Sequence, residues 1–342
     1  FLPSPLPSHD LFTITHHSIV DSLAIIFNFL LLLSVLFRSP SALRSYTVLL
    51  VNSVLIDIIG SCSMLAVMVR IVPIDDLLAY VYDGPCVLVS GFFCHVAYTV
   101  LLATLSQSLF LIATSFAYRL YVLGQPSPQI RSVLALCLII SVPNILVLTT
   151  FMFTLDDSDL VRADLKAIRP DYELDEYLVQ GHLTIFSMLV MFTILAMTMP
   201  IGPTMVVIFI IRRKVLAKIK AQSVTMSEKT SSMHSTLTKV LTLQSLLPVF
   251  FSGAVLSYGL CQLDITCSPV QEHFIMESLS FIPLVSPLIT IFCMKPYREL
   301  LFHLTISSLS SITPSSILSP SSSMYCYSSP LFFGLPVVFG CS

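Results

Sequence analysis

Seven stretches of roughly 20 mostly apolar residues dominate this chain, at 19–37, 46–69, 91–118, 131–153, 183–211, 237–260 and 273–294. Each is long enough for a helix to cross the hydrocarbon core of a bilayer, about 30 Å thick. In that core no water is present to satisfy backbone N–H and C=O groups, so a continuous apolar stretch of this length has to be helical. Composition agrees: of 342 residues, 55% are hydrophobic and 11% charged, where soluble domains carry roughly 25% charged residues. Mean hydropathy is +0.90. The expected fold is an all-α membrane protein, a seven-transmembrane helix bundle with no repeat of fixed period. Residues 1–18 form a short leading segment without the features of a signal peptide. Residues 19–304 form the bundle, closing with a short amphipathic helix in PYRELLFHL, and residues 305–342 form a Ser/Pro-rich tail that reads as disordered. The net charge of −2 gives nucleic acid no footing.

Orientation follows from Lys and Arg. Arg38, Arg44, Arg119, Arg131, Arg212, Arg213, Lys214, Lys218, Lys220, Lys229, Lys239, Lys295 and Arg298 fall on one side, thirteen in all, against Arg70, Arg162, Lys166 and Arg169 on the other. The expectation is N-out and C-in, with the acidic loop 154–182 outside. RRKVLAKIKAQ (212–222) reads as a basic extension of the fifth span, suited to anionic lipid at about 1 kcal/mol per nearby cation or to a cytoplasmic partner.

The polar residues inside the spans carry the chemistry. A charge near the bilayer centre costs at least about 2.5–3.5 kcal/mol, so Asp57 must face the bundle with a partner, for which Asn28 and Asn52 are candidates. The pair Asn28 and Asp57 resembles the helix 1 Asn and helix 2 Asp of rhodopsin-like G-protein-coupled receptors, where the Asp can hold sodium. A structural hydrogen-bond anchor is the other reading. Tyr118-Arg119-Leu120-Tyr121 resembles the Asp/Glu-Arg-Tyr of that superfamily without its acid, and Arg119 follows Cys94 by the superfamily's 25 residues. Pro248 stands where the helix 6 kink proline would be, and Ser286-Pro287 resembles the Asn-Pro of NPxxY with Asn and Tyr lost. Glu228 is a candidate acid to pair with Arg119. For each of these the plainer readings are packing, a kink, or the positive-inside bias.

Several strings in order, RSYTVLLVNSVLID (44–57), RIVP (70–73), GPC (84–86), SFAYRLYVL (115–123), MSEKTSSMHSTLTKVLTLQSLLPVFF (226–251) and IPLVSPLITIFCMKPYR (282–298), resemble the serpentine receptor class d family of nematode chemoreceptors. The resemblance covers about residues 15–300. It implies a seven-helix receptor in a sensory plasma or ciliary membrane, signalling through a heterotrimeric G protein. No C-x-x-C or His-x-x-x-His spacing suggests a metal site, and no cofactor is expected.

Of the nine cysteines, Cys86, Cys94, Cys261 and Cys267 are predicted on the oxidising side, where disulfides persist. The loop 154–182 has no Cys, so the usual bridge of rhodopsin-like receptors cannot form. Cys86–Cys94 and Cys261–Cys267 are alternatives, as are cross-pairs among them. For the ligand, Leu101 stands where amine receptors place an Asp, which disfavours an amine. Tyr98, Leu101 and Leu105 on the third span, with Phe251, Tyr258, Met276 and Phe281 on the sixth and seventh, suit a small, largely apolar molecule, although any one of them also fits ordinary packing. Glu277 and His273 are candidate polar contacts. The rival readings are a transporter or channel, against which stands the lack of internal repeats, and an intramembrane enzyme, which lacks a second deep carboxylate.

Overall fold

The computed structural model describes residues 8–39, 44–172, 174–175, 177–222, 228–295 and 297–299. Seven helical segments are long and apolar enough to span a membrane. The first three are α1 (Ser8–Arg38), α2 (Arg44–Val67) and α3 (Gly91–Val122), and the fourth is α4 (Ile130–Phe151). The fifth is built from α6 (Met188–Thr198) and α7 (Ile201–Gln222), the sixth from α8 (Glu228–Gln244) and α9 (Pro248–Gln262), and the seventh is α10 (Pro269–Cys293). All seven expected spans are present. The first begins eleven residues earlier than expected, at Ser8, because Asp10, Thr13 and His17 find buried partners and need no water. The fifth runs to Ala221 through its basic extension.

Prolines set the breaks. Pro200 and Pro203 sit at the junction of α6 and α7, and Pro248 opens α9. A proline has no N–H to donate, and before Pro248 the ladder tightens to three-residue bonds: Leu246 N donates to Leu243 O at 3.1 Å and Leu247 N to Gln244 O at 3.1 Å. Pro143, Pro283 and Pro287 lie inside continuous helices.

The sequence reading did not anticipate a three-stranded antiparallel sheet over one end of the bundle: β1 (Val69–Ile74), β2 (Leu77–Tyr82) and β3 (Leu178–His182), in that order. VRIVPI and LLAYVY are β-branched and aromatic, and Asp75-Asp76 between them makes a two-residue hairpin turn, with Asp75 at φ 49°. Asp tolerates that left-handed conformation better than most residues. Gly181 has φ 157°, and a Cβ there would stand 2.2 Å from Leu78 O. Only glycine lets β3 approach β2 this closely.

The period-2 alternation of strands gives the sheet two faces. Ile71, Leu78, Tyr80 and Tyr82 point into the main bundle core. Val72, Ile74, Leu77, Ala79 and Val81 point the other way and bury Val161 and Leu165 of α5 (Ser158–Ile168) in a satellite core with Leu174 and Val179. Sheet and α5 together form a lid. A disulfide between Cys86 and Cys94 ties the 3-10 turn Pro85–Leu88, which follows β2, to the start of α3.

Candidate functional site

Beneath the lid lies a cavity of about 110 Å³. Its floor and walls come from α3 (Tyr98, Leu102, Leu105), α9 (Phe251, Tyr258) and α10 (Met276, Leu279), with Thr193 to Thr198 from α6 at one side. Its roof is the inward face of the sheet: Ile71, Leu78 and Tyr80. Tyr80 packs 4.8 Å from Tyr98 and 5.7 Å from His182, centroid to centroid. Burial pushes the pKa of His182 down to about 4, so the ring is neutral, and its Nδ1 donates to Thr154 O at 2.8 Å.

Five of the expected ligand contacts, Tyr98, Leu105, Phe251, Tyr258 and Met276, line this cavity. Three do not. Leu101 is buried in the surrounding core, and its neighbour Leu102 takes the place at the wall. Phe281 lies against His16 of α1 at 5.3 Å and Phe250 at 5.8 Å. Glu277 accepts from Thr13 of α1 at 2.8 Å. Positions 277 and 281 are one and five residues beyond Met276, which turns them, at about 100° per residue, from the cavity toward the α1 seam. The wall residues missed from sequence include those of the sheet and of α6, whose approach depends on long-range pairing, and Leu279 of α10.

The lid is pinned by buried charge. Arg70 of β1 meets Glu272 of α10 through two nitrogens, at 2.6 and 2.7 Å, and stacks over Tyr172 at 4.6 Å. Glu272 also accepts from Tyr172 Oη at 2.8 Å, and Asp10 from Tyr177 Oη at 2.7 Å, with His273 Nε2 at 3.2 Å from Asp10. Burial works against the charge of Arg70, but Glu272 outweighs it and holds the guanidinium above its ordinary pKa. Asp83, after β2, is pushed up to about 7 by burial and by Asp10, against the pull of Arg70, and both its carboxylate oxygens are buried without a partner among the described residues. Sequence reading named His273 and Glu277 here but gave Arg70 and Asp10 no role. No local pattern joins residues this far apart in the chain.

Deeper in the bundle, Asp57 accepts from Ser108 of α3 at 3.0 Å and takes a further side-chain hydrogen bond from Ser286. Gln244 of α8 donates to Ser286 at 3.3 Å and to Thr290 at 3.2 Å. Neither expected partner reaches Asp57. Asn28 donates to Ala24 O at 2.9 Å and to Pro283 O at 2.7 Å, joining α1 to α10 at Pro283. Asn52 is five residues away on the same helix, about 140° around it, and its amide nitrogen is buried without a partner among the described residues. Pro287 is buried beside Ser286. The hub therefore joins α2, α3, α8 and α10 through hydroxyls and an amide.

At the opposite end, Arg119 is buried on α3 with its guanidinium 5.0 Å from the Tyr46 ring centroid, while Tyr121 faces outward. The Glu228 side chain, the segment PYRELLFHL beyond residue 299 and the tail 305–342 lie outside the described residues. Of the pairings left open by the sequence, Cys86 and Cys94 are bridged, and the Cys261 and Cys267 sulfurs lie 2.6 Å apart.

A seven-helix bundle with an apolar cavity beneath a lid at one end and a buried arginine at the other defines a multi-pass membrane protein of serpentine build. The family profile described as serpentine type 7TM GPCR chemoreceptor Srd matches residues 13–303, and the chain belongs to that family. It is similar to serpentine receptor class delta-3 of Caenorhabditis elegans, 28% identical over 310 residues that cover 88% of this chain and 90% of the relative. Serpentine receptor class delta-18 of the same organism is 29% identical over 80% of this chain and 82% of its own. The sequence resemblance thus named the family correctly.

Proposed function

We propose that this chemoreceptor takes a small, largely apolar ligand into the lidded cavity and signals to a heterotrimeric G protein at the Arg119 end, with the lid outside the cell. The observation that carries this reading is the cavity roofed by Ile71, Leu78 and Tyr80. It is apolar, and the helices that line it run on to the Asp57 hub. Both are built from α3 and α10, so a ligand that changes the packing of these helices biases the whole bundle. The Cys86–Cys94 bridge beside the lid supports an oxidising exterior there, and the basic residues crowd the other end.

The test is a G-protein activation assay on the expressed chain against a panel of small metabolites. A ligand-dependent signal that Arg119→Ala abolishes while surface expression is retained is expected. Silence from a correctly inserted chain that instead passes ions or solutes would replace this reading with a transporter or channel.

A further inference from the structure

We infer that Cys261 and Cys267 form a second disulfide bridge, and that the bridged turn between α9 and α10 is the seat on which the hairpin of the lid rests. This rests on the reading above in one respect, that the lid end faces an oxidising exterior, and the experiment below separates the two.

Three observations converge. The first is proximity: the two sulfurs lie 2.6 Å apart, closer than unbonded sulfurs rest and near the roughly 2.05 Å of a covalent S–S bond. The second is preorganisation. α9 ends in a Schellman turn, in which Ile265 N donates to Leu260 O at 3.1 Å and Asp264 N to Cys261 O at 3.0 Å, with Asp264 in the left-handed conformation at φ 51°. Such a turn stops the helix and redirects the chain. Cys267, one residue before the N-cap Ser268 of α10, is thereby returned onto the last turn of α9. The backbone brings the thiols together before any bond forms between them. The third is exclusivity. Cys86 and Cys94 are already bonded to each other, and Cys62, Cys137 and Cys293 lie within spans. Among the described residues at the lid end, Cys261 and Cys267 have only each other.

The bond forms by thiol–disulfide exchange with an oxidised protein disulfide of the secretory route. One cysteine, as thiolate, attacks the S–S bond of this carrier and forms a mixed disulfide. The second attacks the mixed disulfide, and the carrier departs as a dithiol. Two electrons pass from the cysteine pair to the carrier, which also takes up the two thiol protons. Cys261 is 1% exposed, so reductants reach the finished bridge poorly. The turn meets the lid at both of its ends. Gln262, next to Cys261, donates through Nε2 to Asp75 O in the β1–β2 turn. Cys267 Sγ lies 3.8 Å from Oε1 of Glu272, the carboxylate that holds Arg70 of β1. Joining Cys261 to Cys267 therefore fixes the spacing of the two groups that receive the lid.

The experiment uses the full chain purified from the surface of expressing cells. One portion is denatured in N-ethylmaleimide, which caps every free thiol, and is digested without reductant. Mass spectrometry is expected to find Cys261 joined to Cys267 and uncapped, as Cys86 is to Cys94. A second portion, in lipid nanodiscs, gives the amide exchange rates of residues 74–77 in the wild type, Cys261→Ser and Gln262→Ala, each with its melting temperature recorded to establish folding. Both variants should speed this exchange by about 3- to 10-fold, the range that the loss of one hydrogen bond spans, and only Cys261→Ser should also leave Cys267 open to capping. Capped Cys261 and Cys267 beside an intact Cys86–Cys94 bridge overturn the inference and leave the exterior reading standing. Capping of all four in the folded wild type overturns both. Unchanged exchange at the hairpin in folded Cys261→Ser overturns the role of the bridge as the seat of the lid.

Discussion

Asp57 shows how a single residue is forced into a role by its solvent. A carboxylate in the middle of a membrane helix must be paired or neutral, and here it collects hydroxyl donors from two other helices, Ser108 and Ser286. Asp57→Asn keeps the shape and one acceptor, so surface expression should persist while ligand response falls several-fold. An unchanged response with unchanged sodium dependence would remove the hub role. Asp83 makes the opposite case outside the spans. Its ordinary pKa is 3.8, and burial raises it to about 7 in the folded chain. Between those values the folded state holds more protons than the unfolded one, so this group's stabilisation is full below about 3.8 and is lost as pH rises toward 7. Asp83→Asn should raise the melting temperature at pH 8 by a few degrees and flatten its decline between pH 5 and 8. A variant that melts in parallel with the wild type across that range would contradict the assignment.

At the scale of elements, the lid is held to the bundle by a buried ion pair rather than by apolar contact alone. Glu272 is fully buried and Arg70 nearly so. Removing one member of such a pair strands the other and typically costs about 3–5 kcal/mol, whereas replacing both with apolar residues is often neutral. Arg70→Met and Glu272→Met should each lower thermal stability and surface expression, and the double variant should recover most of the loss. Strictly additive losses in a double-mutant cycle would show that the two side chains do not depend on each other. The helices were legible because an apolar run of 20 residues allows one outcome in lipid. The sheet was harder to see. VRIVPIDDLLAYVY has strand-forming residues around a turn, but its short apolar runs resemble a helix end, and its third strand lies about a hundred residues away in the chain.

For the whole molecule, the charge asymmetry is the remaining expectation. Thirteen Lys and Arg fall at the end away from the lid and four on the lid side, which predicts that the lid faces outside. Epitope tags inserted after Asp171 and after Met226 in intact expressing cells should be accessible and protected, respectively, and the reverse pattern would invert the receptor.

The amino-acid sequence by itself determined the seven spans, their order and the family, because hydrocarbon leaves a long apolar segment no alternative to a helix and because a family's strings are linear patterns. It also singled out Asp57, Arg119, Pro248 and five of the cavity's wall residues, whose types and spacing are local. The tertiary structure alone decided that Ser108 and Ser286 rather than Asn28 serve Asp57, that Glu277 and Phe281 face α1 rather than ligand, and that Arg70 and Glu272 clamp a β lid. Each of these depends on the rotation of one helix against another or on the pairing of distant strands. Those are fixed by packing across the bundle, which no short stretch of sequence encodes.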